Sequence, residues 1–468
     1  MQLWVKWLQC VWKLRPACKR TRTFLWMVVV LVGMCIRSDC WGVTSFVRAV
    51  GLKAGTYLRL LHLFHTPALV LDRLTRCWAQ LVLKWFEPVR AGDRLVYVAD
   101  GLKVAKEGRK MPAVKKLYQG SQDNTKPPFI FGHSFQVVGL LVRGKLGEVF
   151  SVPLASRIHE GVVFSNRDTR TLLDKLVGLF LDVSKQSTGA LLVADAYYAS
   201  RKVVHPLLEQ GHHLLTRVKI NSVAFHKAPQ PRKRRRGRPR KYGRKVYLRN
   251  QFRRTHAFES AVSPLYGEEG VSLRYKCLDL LWRPVGHLVR FVLVDHSDRG
   301  RIILMTTDLS LDPLRVIEIY GYRFKIEVGF KQALHTLGAY AYHFWMRDMK
   351  PISRRRSGNQ YLHRTDDEYR RQVRRKLDAY HRYVQLGCIA QGLLQHLAIN
   401  ASEAVWSHFK SWMRTMKPDL TPSEAVTAQA LRSSFPDFLL RAPDGNELKK
   451  FVLDHAELDR CPGFRMAG

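Results

Sequence analysis

The 468-residue sequence predicts a mixed α/β fold: a sheet with helices on its faces, interrupted by an all-β insertion and flanked by helical N- and C-terminal regions. Three observations carry this. Between residues 93 and 219, short apolar runs bounded by polar residues alternate with amphipathic stretches. Three more strand-like runs follow a strongly basic linker. Both ends of the chain place apolar residues at helical spacing. With 46% hydrophobic residues the chain is globular and long enough for several domains.

Residues 1–88 are rich in Leu, Trp, Val and Arg. The apolar run Phe24 to Ile36 follows Lys19, Arg20 and Arg22. It falls short of the roughly 20 residues that span a bilayer, and Arg37-Ser38-Asp39-Cys40 lacks the small residues of a signal cleavage site. A buried core helix is therefore expected, and no membrane partner. A short helix within Gly42 to Leu52, ended by Gly51, precedes a second near Tyr57 to Phe64. Two such helices around a tight turn fit a DNA-reading unit, and a plain helical bundle fits the same pattern. The expectation is a helical DNA-binding region over 1–88.

The core begins with strands at 95–100, 134–142 and 147–152, then a helix at 168–185, a strand ending in Asp195, another helix, and a strand from His213 to Val218. These form the first part of the core, 89–219. A basic linker and the strands Leu273 to Leu281, Leu288 to Asp295 and Arg301 to Thr307 make the insertion, 220–311. The core resumes over 312–350 with the helix carrying Glu327. A basic helical region, 351–468, is suited to DNA contacts and dimer formation, and its tail from 418, broken by Pro, Ser and Asp, reads as peripheral.

The formal charge is +40 and the pI near 10.3. A charge this large repels itself in the folded state, so a polyanionic partner is expected, and nucleic acid is the economical one. The eight cysteines contain no CxxC pair and read as reduced thiols of a cytosolic protein.

Asp100 and Asp195 each close a short apolar run, and so lie where active sites of open α/β sheets gather. With Glu327 they supply the hard oxygen ligands that divalent metal requires, and two such ions can activate an attacking oxygen and neutralise a leaving one.

These residues carry a resemblance. The order Asp100, Asp195, Glu327, with Tyr320 and Arg323 spaced seven and four residues before the glutamate, resembles the DDE transposases of bacterial insertion sequences. The branch it resembles has a ribonuclease H-like core and a β-strand insertion before the Glu. Val98 to Gly108, Gly132-His133, Thr307-Asp308-Leu309 and Tyr342 to Met346 are similar to that family in order and placement. The family pattern has a lysine seven residues past the Glu, where this chain has Leu334. Lys331 is rotated only about 40° from Glu327 on a helix and stands one turn nearer.

The resemblance implies a cut-and-paste transposase. Asp100, Asp195 and Glu327 would be the catalytic and metal-binding triad for two Mg²⁺ (or Mn²⁺) ions. Double-stranded DNA, both terminal inverted repeats and target, would be the partner of a homodimer in the bacterial cytoplasm at the nucleoid. Arg323 would clasp a DNA phosphate, with Tyr320 donating to it and Lys331 supplying the missing lysine. Trp282 would stack on an extruded base, as an aromatic of the insertion does in relatives that pass through a DNA hairpin. His133 and Asp308 are nearby candidates for which structural hydrogen bonds are the expected role.

Residues 232–245 hold ten basic residues and no acid. Their centre, Arg236-Gly237-Arg238-Pro239, resembles an AT-hook, so Arg236, Arg238, Arg240 and Lys241 are expected in a narrow minor groove. Two other readings stay open: a ribonuclease H-like nuclease without strand transfer, and a non-enzymatic DNA-binding relic of a transposase.

Overall fold

The apolar run before Asp100 belongs to a longer strand than its sequence suggests. Strand β1 (Arg94–Ala105) is continuously buried from Val96 to Ala99 and then alternates between half-buried and exposed through Ala105. Its first half is covered on both faces and its second half on one. The expected end at Asp100 is therefore a change of environment within one strand. The computed structural model describes residues 2–119, 127–187, 189–229, 237, 239–353, 358–412 and 416–457. Arg236 and Arg238 of the AT-hook-like run lie outside the described residues. The chain divides into two units: Met1–Glu87, Gly101–Leu172 and Glu327–Gly468 form the first, and Pro88–Asp100 and Leu173–Ile326 the second.

In the first unit, the second half of β1 lies beside β2 (Phe129–Arg143), which pairs antiparallel with β3 (Val149–Ile158) in the register Phe135↔Ile158 to Arg143↔Val149. The long helix Asp367–Asn400 packs on this sheet. Asp366 caps it, its carboxylate accepting from the Tyr369 amide at 2.7 Å. Two glycines let it approach its neighbours. A Cβ at Gly392 would come within 2.2 Å of the Trp78 ring, and one at Gly387 within 2.4 Å of Ala339. Trp78 in turn donates its indole N–H to the Pro153 carbonyl of β3 at 2.8 Å.

Helix Thr21–Ile36 is buried without a break from Trp26 to Ile36, as expected of a core helix. No helix among the described residues is long and apolar enough to cross a membrane. Helix Thr44–Val50 ends at Gly51, whose φ of 68° is the left-handed conformation glycine favours, and helix Thr56–His65 follows. The tail is not peripheral. Helix Glu424–Arg441 places Phe435 and Phe438 against Trp4, with ring centroids 5.0 and 5.6 Å apart. The Pro422-Ser423 pair that reads as a break is the helix start, where the Ser423 hydroxyl accepts from the Val426 amide.

In the second unit, the first half of β1 runs parallel to β4 (Ala190–Ala194), which is parallel to β5 (His213–Val218). Helix Leu172–Ser184 covers this part, with Phe180 edge-on to Tyr97 at 5.5 Å. Among the described residues the insertion comprises β6 (Val223–Lys227), β7 (Tyr242–Tyr247), β8 (Glu259–Val262), β9 (Ser272–Trp282), β10 (His287–His296) and β11 (Gly300–Thr306), with short helical turns at Leu248–Gln251 and Thr255–Ala257. It does not stand apart from the core. β11 pairs antiparallel with β5, then β10 and β9 follow, so the insertion prolongs the sheet. A mixed sheet flanked by helices, with parallel central strands and antiparallel neighbours, is a ribonuclease H-like α/β fold.

Candidate active site

The pairing of β1 with β4 aligns Leu95 with Ala190 and continues in step to Val98 with Val193. Two residues further in the same register stand Asp100 and Asp195. Parallel neighbours lie about 4.8 Å apart, and residues in step project from the same face, so the register sets the two carboxylates side by side. The Asp195 backbone is still extended, at φ −74° and ψ 179°. Its carboxylate accepts from the Tyr197 amide at 3.0 Å, starting the turn Ala196–Tyr198, and its carbonyl accepts from the Thr216 hydroxyl of β5 at 2.6 Å. These bonds end the strand and fix the side chain.

Arg323 reaches Asp100. Its guanidinium donates to the carboxylate at 3.0 Å, with both side chains about one-fifth exposed. Tyr320, on helix Pro313–Gly321, is half-buried and hydrogen-bonded with Arg323. Burial pushes its phenol up, the Asp195 charge acts in the same direction, and the Arg323 and Arg217 charges oppose it. Asp312 anchors that helix, its carboxylate accepting from the Leu314 and Arg315 amides at 2.8 and 3.2 Å. The second unit thus gathers Asp100, Asp195, Tyr320 and Arg323, together with Arg217, which the sequence reading missed. The signal was present: Arg217 ends the apolar run Leu214-Leu215-Thr216 and lies exposed near the carboxyl end of β5, on the sheet edge of the two aspartates.

Glu327 occupies the first turn of helix Phe324–His335 and is exposed; from that residue onward the chain belongs to the first unit. Lys331, one turn on, is also exposed, and Leu334 is half-buried. Among the described residues no group of three His, Cys, Asp or Glu lies close enough together to hold a metal ion. The register brings Asp100 and Asp195 together. Their oxygens are of the hard type that Mg²⁺ or Mn²⁺ prefers, and in this arrangement Asp100 holds Arg323.

The remaining candidates are placed as follows. His133 is fully buried in the first unit. It donates from Nε2 to the Pro112 carbonyl at 2.9 Å and accepts at Nδ1 from the Tyr342 hydroxyl at 2.6 Å. Burial and the nearby Lys106 charge hold its pKa down at about 3. Asp308 is buried in the second unit, paired with Arg94 at 2.9 Å and bonded by Ser310. Both are buried and bonded within the fold. Trp282 is 6% exposed and edge-on to Phe291, so stacking on a base would require its ring to be uncovered. Arg240 and Lys241 are exposed where the chain enters β7.

The mixed α/β fold is ribonuclease H-like, and its parallel strands β1 and β4 set two carboxylates side by side. The sequence profile of the DDE superfamily endonucleases matches residues 13–261, more than half of the chain, and the chain belongs to that family. The match contains Asp100 and Asp195 and stops before Glu327. Among solved structures, the cryo-EM structure of a piggyBac transposase synaptic complex with hairpin DNA is similar at 11% identity and a TM-score of 0.39. That alignment covers 92% of this chain and 74% of that one. No curated protein matches the sequence significantly.

Proposed function

We propose that this DDE superfamily endonuclease is a DNA transposase that cleaves the ends of its element and joins the freed 3′ hydroxyl to target DNA. The observation that carries the reading is the register of Asp100 beside Asp195, with Arg323 and Tyr320 gathered at the same edge, in a chain of charge +40. Two divalent ions, Mg²⁺ or Mn²⁺, held by these aspartates and by Glu327 as third carboxylate, would supply the activation of water and the neutralisation of the leaving oxygen.

The chain's own groups have distinct tasks. Arg323 leaves Asp100 for a DNA phosphate, which its planar guanidinium holds through two parallel hydrogen bonds. Tyr320 keeps its proton, since burial raises its pKa, and donates to the same phosphate. Lys331 follows Glu327 by one turn and carries the family lysine's charge. Arg240 and Lys241 contact DNA from the insertion. Two protomers holding two terminal repeats, as symmetric assemblies do, would act on nucleoid DNA in a bacterial cytoplasm.

The test is cleavage and joining of a labelled duplex bearing the element's own end, with Mg²⁺ or Mn²⁺, by wild type, Asp195→Ala and Glu327→Ala. Metal-dependent nicking and joined product, both lost in the variants while binding persists, is the expected result. Nicking without joining identifies a nuclease. Binding without nicking in either metal leaves only a DNA-binding relic.

A further inference from the structure

A cleft of about 710 Å³ opens in the first unit between the start of helix Thr21–Ile36 and helix Thr56–His65. Lys19, Arg20, Arg22, Arg59 and His62 line it, and no carboxylate does so among the described residues. Four permanent cations converging without a counter-ion repel one another, so the arrangement is completed by an anion from outside. Its walls are fixed before any ligand arrives. The Lys19 amide donates to the Ala68 carbonyl at 2.9 Å, and Cys18 bridges to Leu69, tying the segment that carries three of the cations to the opposite rim. Trp26, which lines the cleft, is held edge-on by Phe451 and His455 at 4.8 and 4.9 Å, and Arg59 contacts His455 at 3.0 Å.

A second feature points the same way. The 16-residue helix Thr21–Ile36 begins at the cleft with no side-chain cap and no acid in its first turn, leaving its first amides and positive end for an anion. The volume is within the roughly 300–1,000 Å³ of ligand sites and exceeds what one phosphate fills. Leu58, 70% exposed, and Pro67 give one wall an apolar surface of the kind a sugar contacts.

We propose that this cleft is a DNA-backbone site, separate from the acidic edge, that seats one nucleotide's phosphate and sugar without reading its base. An open cleft with exposed cations suits a polymer whose neighbouring phosphates meet the rest of a surface of charge +40. The inference shares with the proposed function only the statement that the partner is DNA.

The experiment is fluorescence anisotropy of a labelled random-sequence duplex between about 50 and 200 mM salt. Wild type is compared with the triple variant Lys19→Gln, Arg22→Gln, Arg59→Gln. The control is Lys185→Gln, Lys202→Gln, Arg371→Gln, whose cations are already paired with Asp182, Asp174 and Glu368. Each lost phosphate contact flattens the plot of log K against log salt by about 0.9. The cleft variant should therefore lose about 1 unit of slope and weaken about tenfold at low salt, while the control keeps the wild-type slope. Arg22→Lys with Arg59→Lys, which preserves charge, should restore most of the slope.

An unchanged slope in the cleft variant, or an equal loss in the control, overturns the site. So does a variant that loses affinity for phosphatidylserine vesicles and not for the duplex, which would make the occupant a membrane. Asp195→Asn should keep the full slope, so a failure of cleavage and a failure of the cleft are read in different variants.

Discussion

Lys106, His133 and Tyr342 in the first unit, and Asp100, Asp195 and Arg323 in the second, are both clusters of polar side chains beside the sheet. In the first, every group is enclosed and bonded within the fold. Lys106 donates to the Tyr340 and Tyr342 carbonyls and sits 3.8 Å from the Tyr342 ring centroid, and His133 is bonded at both nitrogens. Burial pushes the Lys106 amine down to about 7 and the His133 ring to about 3. In the second, the carboxylates are partly exposed and the ion pair at Asp100 can exchange partners with a phosphate or a cation. Low pKa values in the first cluster come from desolvation inside a satisfied network and are statements about stability. A perturbed pKa in the first cluster therefore follows mainly from enclosure, and the second cluster differs in exposure and in register.

Substitutions in the two clusters should separate in kind. The largest effect is expected from Asp195→Asn and Asp100→Asn, which should lower cleavage of an end-bearing duplex by about 10³-fold, the scale of losing a group that stabilises transition-state charge, with the duplex Kd little changed in anisotropy. Arg323→Ala should lower the same cleavage by about 10²-fold, and Arg323→Lys should recover only part of it, since an ammonium lacks the planar fork. Full recovery by lysine would reduce Arg323 to a point charge.

The first cluster should answer in stability. His133 is held neutral in the fold and gains a proton more easily when unfolded, so the unfolded chain binds more protons between about pH 6.5 and 3. Stability contributed by this group is present above 6.5 and lost as pH falls through that window. Lys106 behaves likewise between about 10.5 and 7, where stability rises with pH. Urea midpoints measured across both windows should flatten at the acid end in His133→Phe and at the basic end in Lys106→Met. Asp308→Ala, which leaves the 30% exposed Arg94 unpaired, should cost about 2 kcal/mol in the same assay, below the figure for fully buried pairs because water reaches the arginine.

Much of the molecule was legible because periodicity is local. The run Phe24 to Ile36, the glycine that ends Thr44–Val50, the strands of the core and the last three strands of the insertion lie close to where spacing puts them, whereas β6, β7 and β8 lie in the stretch read as a basic linker. The misses have local causes too. Asp100 looked like a strand end because burial changes there while the backbone stays extended. Pro422-Ser423 looked like a break in a peripheral tail because a helix cap and a loop use the same residues. Trp282 was legible as an aromatic of the insertion, and only its neighbours show that its face is covered.

The sequence by itself determined the order of strands and helices, the excess of positive charge, and the placing of Asp100 and Asp195 after buried runs. Those properties depend on side-chain period and on chain-wide composition. Tertiary structure decided the rest. The register that sets the aspartates abreast is fixed by hydrogen bonds between strands far apart in the chain, as are the insertion's continuity with β5 and the capture of Asp100 by Arg323. The cleft is decided in the same way: Lys19, Arg20 and Arg22 come from one segment and Arg59 from another, and only packing of the two helices turns scattered charges into a site.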